Sequence, residues 1–179
     1  MAINLADIRS AAATYLRNNV TVTIGVVIEA GAILNPNEIF AVDIRATNTG
    51  GVRIKNVRLR VEMVDSAVAK LQVKGDFLIM PGFPPPVIIS NVKDLNGSAV
   101  ILNQLVSGMI IDFGGTHGWN VIDPGESLPT VRIFGKAGSA TSGGTTSLRA
   151  RIVADVDQDY LFPPNTSSNF GLREVKVVG

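Results

Sequence analysis

The chain holds one histidine, His117, within Gly114-Gly115-Thr116-His117-Gly118-Trp119. An imidazole works as a general base only beside a nucleophile it can deprotonate and an acid that orients it, and no Gly-x-Ser-x-Gly elbow presents a serine for that role. The plainer reading, a glycine-rich loop ending at a packed Trp119, outweighs the catalytic one, so no catalytic residue is assigned and the chain is not expected to be an enzyme. One imidazole without any thiolate also falls short of a zinc sphere. The remaining metal candidate is Asp155-Val156-Asp157-Gln158-Asp159, whose carboxylates alternate as at the start of a calcium loop. Tyr160 stands where that loop needs glycine, and Thr166 where it needs a bidentate glutamate. Asp155, Asp157 and Asp159 are therefore kept only as a candidate calcium site at a strand end, set against a solvated turn after Ala154. No cofactor is expected.

Arg45, Arg58, Arg60, Arg149 and Arg151 would suit phosphate, but Asp43, Glu62 and Asp155 fall on solvent-facing positions of the same strands. Cross-strand ion pairs account for them better than a nucleic-acid ligand does. The Gly-rich stretches at 114–118 and 138–144 do not join a strand to a helix in a phosphate-binding pattern and read as turns.

The elements that would position these groups are almost all strands. Asn4 and Asp7 suit a helix start, and Leu5, Ile8, Ala12, Tyr15 and Leu16 recur at helical spacing until Asn18-Asn19. The segment 1–19 is therefore expected to be a short amphipathic helix and arm, with the domain at 20–179. Val20 to Ile24 is β-branched and reads as a strand running on toward Ile28. After the turn Asn35-Pro36-Asn37-Glu38, the side chains Phe40, Val42, Ile44 and Ala46 share one face, with Ala41, Asp43, Arg45 and Thr47 on the other. Val57, Leu59, Val61 and Met63 alternate with Arg58, Arg60 and Glu62, and Leu148, Ala150, Ile152 and Ala154 with Arg149, Arg151 and Asp155. Val175 and Val177 run out of phase with Phe170 and Leu172, which predicts a bulge in the last strand.

The stretch from about 76 to 122 differs. Pro81-Gly82-Phe83-Pro84-Pro85-Pro86 is barred from a central strand by its missing N–H groups and reads as an arm. Val87–Val92, Ala99–Val106 and Met109–Phe113 read as extra strands or a hairpin in an apolar insertion. That insertion packs either on the sandwich or on another subunit.

With 179 residues, the chain can bury a full core. Apolar residues make up 46% and charged ones 17%, and the mean hydropathy is +0.29, an apolar surplus suited to a partner surface. A net charge of +1 gives no field for nucleic acid or an anionic membrane. Without cysteine there are neither disulfides nor thiolate sites. No apolar run approaches the roughly 20 residues of a membrane span, and the first residues lack a secretory pattern, so cytoplasmic synthesis is the expectation.

The ordered series Asn35-Pro36-Asn37-Glu38, Thr47-Asn48-Thr49-Gly50, Lys55-Asn56-Val57-Arg58-Leu59, Asp123-Pro124-Gly125-Glu126-Ser127 and Leu148-Arg149-Ala150-Arg151-Ile152 resembles the immunoglobulin-like modules of bacterial and archaeal cell-adhesion-related (CARDB-like) proteins. The resemblance covers about 20–75 and 120–179. It implies an all-β, seven-strand antiparallel sandwich and a binding or structural role. Such modules usually come in tandem behind a signal peptide, and this chain departs from that pattern in showing one copy, no visible signal and a long apolar insertion.

Together these readings predict a non-enzymatic structural subunit of a larger assembly, a homo-oligomer or lattice, with a virion capsid decoration or cement protein as its most concrete form. Leu5, Ile8, Ala12, Tyr15, Leu16, Phe83 and Trp119 are the expected partner contacts. For the helix, docking on a neighbour and folding back on its own sandwich are equally open. The alternative is a secreted recognition module, or a subunit of an extracellular filament, in which Trp119, Tyr160 and Phe162 stack on glycan.

Overall fold

A computed structural model describes residues 7, 10–11, 14–15, 18–26, 33–73, 78–79, 88–89, 92–112, 120–128, 130–138, 145–156, 166–167 and 171–177. The described residues between 7 and 19 are helical, and the helix reaches Asn19 before the first strand begins at Val20. The strands are β1 (Val20–Val26), β2 (Ile33–Leu34), β3 (Ile39–Asn48), β4 (Ile54–Met63), β5 (Ala69–Gln72), β6 (Leu78–Ile79), β7 (Ile88–Ile89) and β8 (Val92–Asp94). They continue as β9 (Leu105–Val106), β10 (Gly108–Asp112), β11 (Val121–Ile122), β12 (Val131–Ala137), β13 (Thr145–Val156), β14 (Thr166–Ser167) and β15 (Gly171–Val177).

Two sheets form. Sheet A runs β1-β3-β12-β5-β9, with the β6–β7 pair also joined to β12. Sheet B runs β2-β15-β13-β4-β10-β8, with β11 beside β4 and β14 beside β13. Among the described residues, pairing is antiparallel except between β2 and β15, which run parallel. The consecutive long strands β3 and β4 enter opposite sheets and take partners distant in sequence, β12 and β13. This is an immunoglobulin-like β-sandwich.

Alternation is what closes it. Phe40, Val42, Ile44 and Ala46 of β3 and Ile133 of β12 face Val57, Leu59 and Val61 of β4 and Leu148, Ala150, Ile152 and Ala154 of β13 across one core, all of them buried. Each large aliphatic or aromatic side chain taken out of water there contributes about 1.5–3 kcal/mol. Gly135 lies directly opposite Phe40 across β3 and β12, and a Cβ at 135 would come within 2.2 Å of the ring, so only glycine leaves Phe40 its place.

The expected bulge lies elsewhere. β15 pairs with β13 without a break from Gly171↔Ala150 to Lys176↔Thr145. The register shift falls instead between β13 and β4, where Val153 faces Arg58 but Asp155 faces Lys55, and the extra residue sits beside Asn56 at φ 51°. Asparagine tolerates that left-handed backbone, a signal as local as the valine phase and more direct. Ala41 also departs from expectation. Placed on the outward face, it is nonetheless buried, because it stands opposite Phe134 in the interior of sheet A.

The segment expected as an insertion contributes to both sheets. β10 lies between β4 and β8 in sheet B, and β9 extends sheet A beyond β5. Of Ala99–Val106, Leu105 and Val106 form β9, while Ala99 bridges antiparallel to Lys93 of β8 and Val100 N–H donates to the Val92 carbonyl at 3.1 Å, a short hairpin. Asn103 takes φ 60° and turns the chain between Ile101 and Gln104.

Candidate functional site

Leu5, Ile8, Ala12, Leu16, Phe83, His117, Trp119, Asp157, Asp159, Tyr160 and Phe162 lie outside the described residues. Tyr15 and the backbone of Asp155 lie within them. Asp155 is in β13 opposite Lys55. Among the described residues, no group of three or more His, Cys, Asp or Glu side chains is placed to hold a metal ion. Nor is any described helix long and apolar enough to cross a membrane.

Tyr15 is engaged with its own sandwich. Its hydroxyl accepts from the Val52 N–H at 2.9 Å and donates to the Val52 carbonyl at 3.2 Å. The helix end is tied to the same corner, since Thr49 donates its N–H to the Asn19 carbonyl at 2.7 Å. Asn48, fully buried, organises the turn that receives them. Its Nδ2 donates to the carbonyls of Val52 at 2.7 Å and Ile122 at 3.1 Å, and its Oδ1 accepts from Gly50 N–H at 3.1 Å. A buried amide with both ends paired is affordable, whereas one left open costs its full desolvation. Gly50 admits the helix: a Cβ there would meet the Tyr15 hydroxyl at 2.1 Å.

The arginines sort by sheet, and the register sets unlike charges opposite each other on both: Arg132 faces Asp43 on sheet A, and Arg149 faces Glu62 and Arg58 faces Asp112 on sheet B. Arg58, Arg60, Arg149 and Arg151 belong to β4 and β13 of sheet B, whereas Asp43 and Arg45 lie on sheet A. Asp43 pairs with an arginine outside the expected set, Arg132 of β12, in a bidentate contact at 2.9 and 3.1 Å. That hydrogen bond holds the Arg132 pKa above the ordinary guanidinium value. On sheet B, Glu62 contacts Arg60 along the same strand at 3.3 Å, and Arg60 and Arg151 stand directly opposite each other. Burial lowers the pKa of Arg151, the Arg60 charge lowers it further, and Glu62 opposes both. Cross-strand opposition of charges was legible from alternation, but Arg132 as the partner of Asp43 was not, because alternation assigns a face and not a strand partner.

The surface feature that sequence reasoning did not single out is the turn after Val100. Ile101 is 69% exposed, Leu102 46% and Leu105 43%. The backbone beneath them is fastened on every side. Gln104 N–H donates to the Ile101 carbonyl at 3.1 Å, Ile101 N–H donates to Gln104 Oε1 at 3.0 Å, and Asn103 N–H donates to the Val73 carbonyl at 2.8 Å. Gln72 Nε2 closes the set on the Asn103 carbonyl at 2.9 Å. Leu105 also borders a cleft of about 250 Å³ on sheet A, which Lys70 of β5 and Lys136 of β12 line as well. The apolar run 99–106 was the available signal, but it reads equally well as a buried strand.

No family model matches the chain, and no curated protein matches it in sequence. Solved structures do. The chain is similar to AvmM, which catalyses macrocyclization in alchivemycin A biosynthesis, at 12% identity and a TM-score of 0.53, over 91% of this chain and 90% of that one. It is similar to the full-length major pilin SpaD of Corynebacterium diphtheriae at 12% identity and a TM-score of 0.50, over 86% of this chain but 34% of the pilin, and so spans about a third of it. A CARDB domain from Pyrococcus furiosus, solved with di-metal ions, aligns at 13% identity and a TM-score of 0.40 over 89% of this chain and 93% of that one. Identities this low speak for the sandwich fold alone.

Proposed function

We propose that this chain is a non-enzymatic binding and assembly module whose sandwich holds an apolar turn outward for contact with another protein. The carrying observation is the Ile101–Leu105 turn. Three large apolar side chains face solvent on a backbone that four hydrogen bonds hold in place. A soluble surface gains nothing from such a cluster, while a partner that covers it removes apolar area from water without first ordering the loop.

The finer form of the reading is a structural subunit that assembles with copies of itself, of which a capsid decoration or cement protein would be one instance and a filament subunit another. Light scattering on the purified chain across a range of concentrations tests it. Self-assembly that rises with concentration, and is lost in an Ile101→Ser/Leu102→Ser variant of unchanged melting temperature, is the expected result. A monomer at every concentration removes the self-assembling form.

An enzyme is the second reading, favoured by the likeness to AvmM. One sandwich hosts catalysts and binders alike, so that likeness calls for an activity screen and assigns no chemistry.

A further inference from the structure

We propose that the outer face of sheet A carries a binding site for a carboxylate flanked by an apolar group, held between Lys70 and Lys136 with Leu105 as its apolar wall. The proposal rests on the reading of the chain as an interaction module and specifies the chemistry of what it contacts.

Lys136 and Lys70 are register partners on adjacent antiparallel strands. Their neighbours Ala69, Leu71 and Ala137 are buried against the core, so the two ammonium side chains share the outward face. Directly opposite positions place Cβ atoms about 4.5–5.5 Å apart, and like charges there repel. Sheets ordinarily relieve such a pair with an acid on the next strand. Here the acids at hand are engaged elsewhere: both oxygens of Asp43 take the Arg132 guanidinium, Glu38 Oε2 accepts from Asn35 N–H and Nδ2 at 2.7 and 3.1 Å, and Asp65 Oδ1 accepts from Ala67 N–H. Among the described residues no carboxylate lines the cleft, which adds the hydroxyl of Ser66 and the amide of Asn37 to the two lysines.

The walls of the cleft are pinned. Asn37, at φ 62°, donates its N–H to the Gly138 carbonyl at 3.1 Å, and Gly138 N–H donates to Val68 O at 2.7 Å. Leu105 faces Gln72 in the register, one diagonal step from Lys70, and remains 43% exposed. Two cations, two neutral polar groups and an apolar shoulder suit an organic acid better than an inorganic anion. At about 250 Å³ the open cleft is the size of an acidic group with one apolar neighbour.

The test is an amide-resolved NMR titration of the intact chain at low salt with four probes: N-acetyl-leucine, N-acetyl-Leu-Asp-Leu-amide, N-acetyl-leucinamide and inorganic phosphate. Saturable shifts at Ser66, Lys70, Leu105 and Lys136 are expected with either acid. The tighter of the two tells whether a chain end or an acidic side chain supplies the carboxylate. Lys70→Gln and Lys136→Gln should each weaken binding up to about fivefold, the double variant more than either, and raised ionic strength should weaken it in the unmodified chain. The site is overturned if neither acid saturates, if the neutral leucinamide or phosphate binds as well as the acids, or if binding ignores both the lysine substitutions and salt. The outcome is separable from the assembly reading. A chain that stays monomeric yet binds the acids keeps the site, and a chain that assembles but ignores them loses it.

Discussion

Two turns at different places in the sandwich use the same device for opposite ends. In the corner at 48–52, the amide of Asn48 is buried and uses both its protons and its oxygen on backbone groups, fixing the turn that receives the helix end and the turn at 122–126 onto the core. In the turn at 101–105, the amides of Gln104 and Gln72 fasten the backbone just as fully, yet the side chains they steady point to solvent. Hydrogen bonding in the first stabilises the fold. In the second it preorganises a surface, which costs little stability to disturb and would cost binding instead.

The largest effect expected from breaking this contrast is at Asn48. Asn48→Ala strands the Ile122 carbonyl and the Gly50 N–H, with partial loss at Val52, in a place water reaches poorly. The fold should lose about 3 kcal/mol, which for a domain of this size lowers the melting temperature by about 6–12 °C in a thermal scan. A loss under about 1 kcal/mol would mean that water replaces the amide and that the corner is not the tie described. Tyr15→Phe is next. Val52 O keeps Asn48 Nδ2, but Val52 N–H loses its acceptor, so a drop of about 1 kcal/mol, some 2–4 °C, is expected. An unchanged midpoint would show the helix end to be a bystander.

The inward face of this contrast was legible and the outward face was not, for a physical reason. Leu148, Ala150, Ile152 and Ala154 announce themselves because a long strand with one buried face writes its period into the chain. The buried corner was partly legible too, in the Thr47-Asn48-Thr49-Gly50 of the ordered series, but nothing local shows that Asn48 would be enclosed by the distant Ile122. The outward candidates rest on register. Lys70 and Lys136 become neighbours only through the β5–β12 pairing, and Arg132 meets Asp43 only through β3–β12. Ile101 and Leu102 read as part of an apolar strand until Asn103 turns the chain. Sequence periodicity records burial, and a surface assembled across strands leaves no period to read.

Smaller effects sharpen the comparison from the other side. Gln104→Ala removes the acceptor for Ile101 N–H at an exposed turn, where water substitutes. The expected loss is about 0.5 kcal/mol, inside the error of most thermal scans, so the informative readout is amide hydrogen exchange at Ile101. Exchange that speeds several-fold with no change in midpoint would separate local order from global stability. Exchange that stays slow would mean that the Gln72 and Asn103 bonds alone hold the turn.

The smallest expected effect on stability is at Ile101 and Leu102 themselves. Both side chains are largely in water already, at 69% and 46% exposure, so replacing them with serine gives up little core burial and should shift stability by no more than about 0.5 kcal/mol. If the turn is a contact surface, the same double substitution must weaken association far more than it weakens folding, because it deletes the apolar area a partner would cover while leaving the backbone that presents it. Measured together, the melting temperature and the association constant then move independently. Should the double variant instead melt several degrees lower, Ile101 and Leu102 would be supporting the fold, and the division of labour between the two turns would fail at the place where it is most specific.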